Sequence, residues 1–181
     1  MASIKGIILV NWVKVIRADK TGLYDKHLTE ADRKIIQSTI FSTSWYPFDT
    51  FQRLFKMVTE EFQVNDRETI EKWGYDYAEK LLVTLSHLFV NETSVVHTIR
   101  GYSGVEKVFF DTGSFEASFT GEKTAQIKVS DFPNDFTGFY YMTGGWYTKV
   151  FELGGAKSVT HRYLKKSWQG EPHTIIEYSW V

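Results

Sequence analysis

Apolar residues follow Pro47 as Phe48, Phe51, Leu54, Phe55, Val58 and Phe62, the spacing of one helical face. Asp49, Arg53, Lys56, Glu60 and Glu61 fill the opposite side. Pro47 is placed to open this helix, because its missing N–H costs nothing in the first turn. Ser42, Thr43 and Ser44 just upstream supply oxygens for the free N–H groups there. The pattern breaks over residues 63–66, where Asn65 or Asp66 can cap a second helix. That helix runs through Ile70, Trp73, Tyr77, Ala78, Leu81, Leu82, Leu85 and Phe89. Gly74 lies inside it at a cost of roughly 1 kcal/mol against alanine, which marks a close approach by a neighbour. Two long helices joined by a short loop are expected to pack antiparallel.

Either side of this pair the pattern is more mixed. Residues 4–18 carry Ile4, Ile7, Ile8, Val15 and Ile16 at helical spacing, although their β-branching also suits a strand. A helix with an extended start, ending near Gly22, is the favoured reading. A short helical piece over Leu23–Leu28 follows. Thr29-Glu30-Ala31-Asp32 is a capping-box variant that opens a third helix through Ile35, Ile36 and Ile40. Residues 94–100 read as one or two helical turns before a break at 101–104.

Beyond 104 the period shortens. Val105–Phe110, Phe115–Phe119 and Thr124–Ser130 read as strands, with turns at Gly113 and Gly121-Glu122. A long helix follows from Phe136 to Leu153, interrupted at Gly144-Gly145 and stopped at Gly154-Gly155. The chain closes in a hairpin with Val159, His161 and Tyr163 on one face of its first strand. Ile176, Tyr178 and Trp180 share a face of its second, and the turn lies near Gln169-Gly170. This order specifies an α+β fold, in which an N-terminal helical layer packs on a twisted antiparallel sheet carrying an inserted helix at about 136–153. A single domain over 1–181 is expected, with a helical part at about 4–101 and a sheet part at about 104–181.

Composition narrows the chemistry. The 181 residues carry a formal charge of -1, which gives no electrostatic case for nucleic acid. There is no cysteine, so disulfides, thiolate zinc sites and cysteine nucleophiles are excluded. No apolar run reaches the length of a membrane span, and Ile7–Val10 is too short for a signal core. A cytoplasmic protein is therefore expected. Aromatic residues make up 17 % of the chain, enough to line a cavity as well as a core.

The stretches Lys5-Gly6, Leu28-Thr29-Glu30-Ala31-Asp32-Arg33, Ser44-Trp45-Tyr46-Pro47, Asp131-Phe132-Pro133, Gly145-Trp146, Gly154-Gly155-Ala156-Lys157, Gly170-Glu171 and Trp180 together resemble the DUF2378 family of uncharacterised myxobacterial proteins. That family is in turn distantly similar to four-vinyl-reductase domains, haem nitric-oxide-binding (H-NOX) domains and the TRAPP vesicle-tethering subunits. The resemblance implies helices against a twisted antiparallel sheet with a ligand cavity between the layers. Lys166 and Thr174 stand where such domains often carry cysteines. The Tyr-x-Ser-x-Arg run that holds haem carboxylates in the haem-binding relatives is absent, although His97 lies roughly where a proximal ligand would be. On that ground no cofactor is expected, and haem is disfavoured.

None of the five histidines, His27, His87, His97, His161 and His173, stands at a recognised metal spacing. His87 reads as a helix C-terminal partner and His161 as a cross-strand partner of Glu177. Gly101-Tyr102-Ser103-Gly104 is not a nucleophile elbow, and no phosphate loop is present. The expectation is a bacterial, non-enzymatic sensor or adaptor domain in signalling. Its cavity would be lined by Tyr46, Phe55, Trp73, His97, Phe109 and Trp146 and would accept an apolar or aromatic small molecule. The alternative is an interaction module dimerising through Ile7, Ile8, Trp12 and Val15.

Overall fold

A computed structural model describes residues 2–64 and 66–181. The elements in chain order are β1 (Ser3–Lys5), α1 (Gly6–Ala18), α2 (Glu30–Gln37), β2 (Trp45–Pro47), α3 (Phe48–Glu61), α4 (Arg67–Leu85), α5 (Val95–Tyr102), α6 (Glu106–Phe109), β3 (Ser114–Gly121), β4 (Thr124–Ser130), α7 (Thr137–Leu153), β5 (Thr160–Lys165) and β6 (Thr174–Ser179). Helix and antiparallel sheet are both present, as the α+β reading requires. Two compact units form. The first contains the residues up to 64 with Lys107–Thr112, and the second contains Asp66–Glu106 with Gly113–Val181.

In the first unit, α1 packs on α3 through aromatic side chains. The Trp12 ring lies 4.8 Å from Phe55 and 6.0 Å from Phe51. Ile8 and Trp12 are therefore core residues, which removes half of the proposed dimer face on α1. The segment before Pro47 has a different role from the one expected. Trp45–Pro47 is a strand paired with β1, and Pro47 precedes α3 instead of occupying its first turn. The Ser44 and Ser42 carbonyls accept the Gly6 and Ile7 N–H groups, so this segment caps α1. Phe48 N–H at the start of α3 goes to Ala2 O. The piece predicted over 23–28 is a single 3-10 turn at Asp25–His27.

The capping box at Thr29 forms as predicted, and Asp32 does more than cap. Its carboxylate is wholly buried and accepts a bidentate pair from Arg53 Nε and Nη2, both at 2.8 Å. Thr50 Oγ1 (2.8 Å) and Thr29 Oγ1 (2.7 Å) complete its shell. Burial opposes the charge, but the hydrogen bonds from Arg53, Thr29 and Thr50 outweigh it and bring the carboxyl down to about 2.

In the second unit, Asp66 caps α4 through Thr69 N–H; Asn65, the other capping candidate, lies outside the described residues. The expected hairpin partner of α4 is α3, which belongs to the first unit; within the second, α4 lies along α7. Gly74 and Gly145 permit it: a Cβ at Gly74 would meet Met142 O at 2.0 Å, and one at Gly145 would meet Glu71 O at 1.8 Å. The double glycine does not interrupt α7, which runs unbroken to Leu153. The four strands order β3-β4-β6-β5, all antiparallel. On the buried face Ala125 stands opposite Tyr178, Ile127 opposite Ile176 and Val129 opposite Thr174. Phe151 of α7 stacks on Tyr178 at 4.8 Å.

Val105–Phe110 is helical, not the expected strand. Glu106 and Phe109 are buried three residues apart while Val108 is exposed, a helical spacing. The Glu106 carboxylate accepts Gly104 N–H (2.8 Å) and the Tyr147 hydroxyl, which holds the turn closed.

Two outcomes follow. Gly145→Ala drives a methyl into the α4 backbone and is expected to cost at least about 2–3 kcal/mol, read as a fall in the thermal midpoint. Asp32 has a folded-state value below its ordinary one, so its contribution is present above pH 3.8 and is lost as pH falls toward about 2. In acid-unfolding curves Asp32→Asn is expected to remove about 2 kcal/mol at neutral pH and to flatten that low-pH limb.

Candidate functional site

The same double glycine makes room for a polar cluster in the second unit. A Cβ at Gly144 would sit 2.3 Å from Tyr163 Oη and 2.9 Å from His161 Nε2. With no side chain there, Glu71 of α4 reaches two residues of β5. Its Oε1 is 2.9 Å from His161 Nε2 and 3.0 Å from Tyr163 Oη, and it accepts Arg67 Nε at 2.5 Å. Arg67 also lies over the Tyr163 ring at 4.7 Å. Tyr163 Oη is 3.2 Å from Tyr140 O, and Tyr178 Oη donates to Gly144 O at 3.0 Å.

Only 14 % of the Glu71 side chain is exposed. Burial opposes its ionisation, but hydrogen bonds from His161 and Arg67 prevail and hold the carboxyl below the ordinary glutamate value. The Tyr163 hydroxyl is pushed well above the ordinary tyrosine value, first by burial and then by the Glu71 charge. An ionised carboxylate only accepts, so the proton between Glu71 and His161 sits on Nε2. The other ring nitrogen, Nδ1, lies 3.3 Å from Thr148 Oγ1, which is also 3.1 Å from Gly144 O.

This cluster forms one wall of an open cleft of about 340 Å³ lined by Glu71, Lys72, Tyr75, Asp76, Gly145, Thr148, Val159 and His161. At its rim Lys72 pairs with Asp76 at 2.7 Å, and Tyr75 donates to Glu152 at 2.6 Å. Sequence reasoning missed the site because it paired His161 with Glu177. In the sheet His161 stands opposite Tyr178, and Glu177 instead accepts Arg162 Nε at 2.8 Å and Gln126. An irregularity between Tyr163 and Lys165 shifts the register of the hairpin. The one-sided placement of His161 and Tyr163 was the signal available.

The predicted cavity residues divide between the units. Tyr46, Phe55 and Phe109 belong to the first, where Phe55 and Phe109 are buried and Tyr46 Oη accepts Phe41 N–H. Trp73, His97 and Trp146 belong to the second. There Trp146 donates its indole N–H to Tyr102 Oη at 2.5 Å and meets the Tyr77 ring edge-on. His97 lies on α5 with its side chain exposed and no ring hydrogen bond among the described residues. Among the described residues no group of three or more His, Asp or Glu is arranged to hold a metal ion, and no helix is long and apolar enough to cross a membrane.

No protein-family model and no curated protein matches the sequence, so the resemblance to DUF2378 gains no support there. Solved structures do match. An H-NOX protein from S. oneidensis in the Fe(II)NO ligation state is 12 % identical, with a TM-score of 0.69 over 98 % of this chain and 99 % of that one. A structure reported for the modulation of haem redox potential through porphyrin distortion is 13 % identical, with a TM-score of 0.63 over 98 % of this chain and 100 % of that one. An oxygen-binding H-NOX domain related to soluble guanylate cyclases, in its oxygen complex, is 13 % identical, with a TM-score of 0.61 over 98 % and 95 %. The fold is therefore H-NOX-like.

Removing the Glu71 charge leaves Arg67 and His161 with at most a neutral amide oxygen in place of their shared anionic acceptor. Glu71→Gln is expected to cost roughly 2–3 kcal/mol at neutral pH in denaturant titrations. Because the folded-state value is depressed, the wild type should lose this increment as pH falls below the ordinary glutamate range, and the two curves should converge there.

Proposed function

We propose that this chain is a ligand-binding sensor domain on an H-NOX-like scaffold. One observation carries the reading: the fold correspondence runs through 98 % of the chain to structures recorded with nitric oxide and with oxygen bound. Fold alone does not specify chemistry, so the ligand is argued from the residues.

Haem is the group the neighbours bring, which weighs against the expectation of a cofactor-free chain. The donor set meets half of its needs. His97 offers an exposed imidazole with no partner among the described residues, and neutral imidazole is a common axial ligand. The Tyr-x-Ser-x-Arg run that would receive the carboxylates is missing from the sequence. The aromatic share of the chain, 17 %, supports an apolar or aromatic small molecule as the ligand class, with a haem-based gas sensor as the second reading, supported by the fold neighbours.

Protein expressed with haem supplied, followed by absorbance spectroscopy and native mass spectrometry, separates the two. A co-purifying apolar molecule and no Soret band is the expected result. A stoichiometric Soret band that His97→Ala abolishes would establish the haem reading instead. Protein with neither, on addition of haem or of extracts from its host, would count against a sensor role altogether.

A further inference from the structure

Three side chains of the open cleft form a chain that the sensor reading does not use. Thr148 Oγ1 on α7 lies 3.3 Å from His161 Nδ1 on β5, and His161 Nε2 lies 2.9 Å from Glu71 Oε1 on α4. All three residues line the cleft. Hydroxyl, imidazole and carboxylate in this order are the nucleophile, base and orienting group of acyl transfer, and such a set is recognised by geometry and not by sequence position. Here the two ring nitrogens exchange roles: Nε2 faces the carboxylate and Nδ1 faces the hydroxyl.

We propose that Thr148, His161 and Glu71 are an acyl-transfer site for short carboxylic esters. The protonation pattern suits it. An ionised Glu71 keeps a proton on Nε2, and in the neutral form of the ring Nδ1 is then the acceptor that lies 3.3 Å from Thr148 Oγ1. Glu71 is anchored independently by Arg67 and Tyr163, so it fixes the imidazole without being drawn away. Gly145, Val159 and Lys72 line the same cleft, and Lys72 is paired there with Asp76 at 2.7 Å.

The steps balance. The Thr148 hydroxyl turns from Gly144 O to Nδ1, and its oxygen bonds to the ester carbonyl carbon as the proton passes to Nδ1. The alkoxy C–O bond then breaks, Nδ1 protonates the departing alkoxide, and an acyl-Thr148 ester remains. Water attacks that ester and gives a proton to Nδ1. The proton returns to the Thr148 oxygen as the carboxylic acid leaves.

The test uses the full chain with p-nitrophenyl acetate, following p-nitrophenolate release and the intact mass of acid-quenched protein. The expected result is release above the buffer rate, an acetyl adduct mapped to Thr148 by peptide sequencing, and dependence on one deprotonated group. Thr148→Val should lower the protein-dependent rate about a hundredfold and remove the adduct at unchanged thermal midpoint, while Thr148→Ser retains both. If Thr148→Val does not fold, labelling of the wild type by a fluorophosphonate decides. A label on Thr148 supports the site. A label elsewhere or none, or a Thr148→Val protein as active as the wild type, overturns it.

Discussion

Backbone contact between α4 and α7 is the constraint from which the second unit follows. Two helices approach this closely only where side chains are missing, and Gly74 and Gly145 supply those positions, one on each helix. The helix-propensity cost of glycine, roughly 1 kcal/mol each, is small against the packing that the contact allows. Gly144, one residue earlier, turns the same economy toward the sheet. Its missing side chain is the space that His161 and Tyr163 occupy.

Charge placement in both units obeys one rule. A carboxylate withdrawn from water is held by enough donors that its ionised form is the stable one. Asp32 receives Arg53, Thr50 and Thr29; Glu71 receives Arg67, His161 and Tyr163. The difference lies in access. The Asp32 side chain is wholly enclosed and its donors come from helices of one unit, which suits a structural tie. Glu71 lies at the wall of a cleft, and one of its donors is a histidine whose second nitrogen remains usable. That contrast is why Glu71, and not Asp32, faces a cleft.

Much of the chain was legible from period and punctuation. Thr29 with Asp32 marked a helix start because a capping box is a local hydrogen-bond pattern. β4 over Thr124–Ser130 was legible from alternation, and Gly155 at φ +92° stops α7 as a left-handed residue should. The misreadings have local causes. Val105–Phe110 is dense in β-branched and aromatic residues, yet Glu106 must turn inward to meet Tyr147, and the short helix satisfies that. Pro47 looked like a helix opener, but β1 claims Trp45–Pro47 as a partner and the helix begins one residue later.

Sequence by itself determined the long helices α3, α4 and α7, the strand β4, the absence of thiol chemistry and the need for close packing at Gly74, because each is read from residue identity or from neighbours within a few positions. Only the tertiary structure decided that Glu71 meets His161, across 90 residues of chain, and that Glu177 does not. The physical reason is register. A bulge near Tyr163 and a glycine pair on α7 together select which face of β5 meets which turn of α4, and neither effect is encoded in the spacing of any one segment.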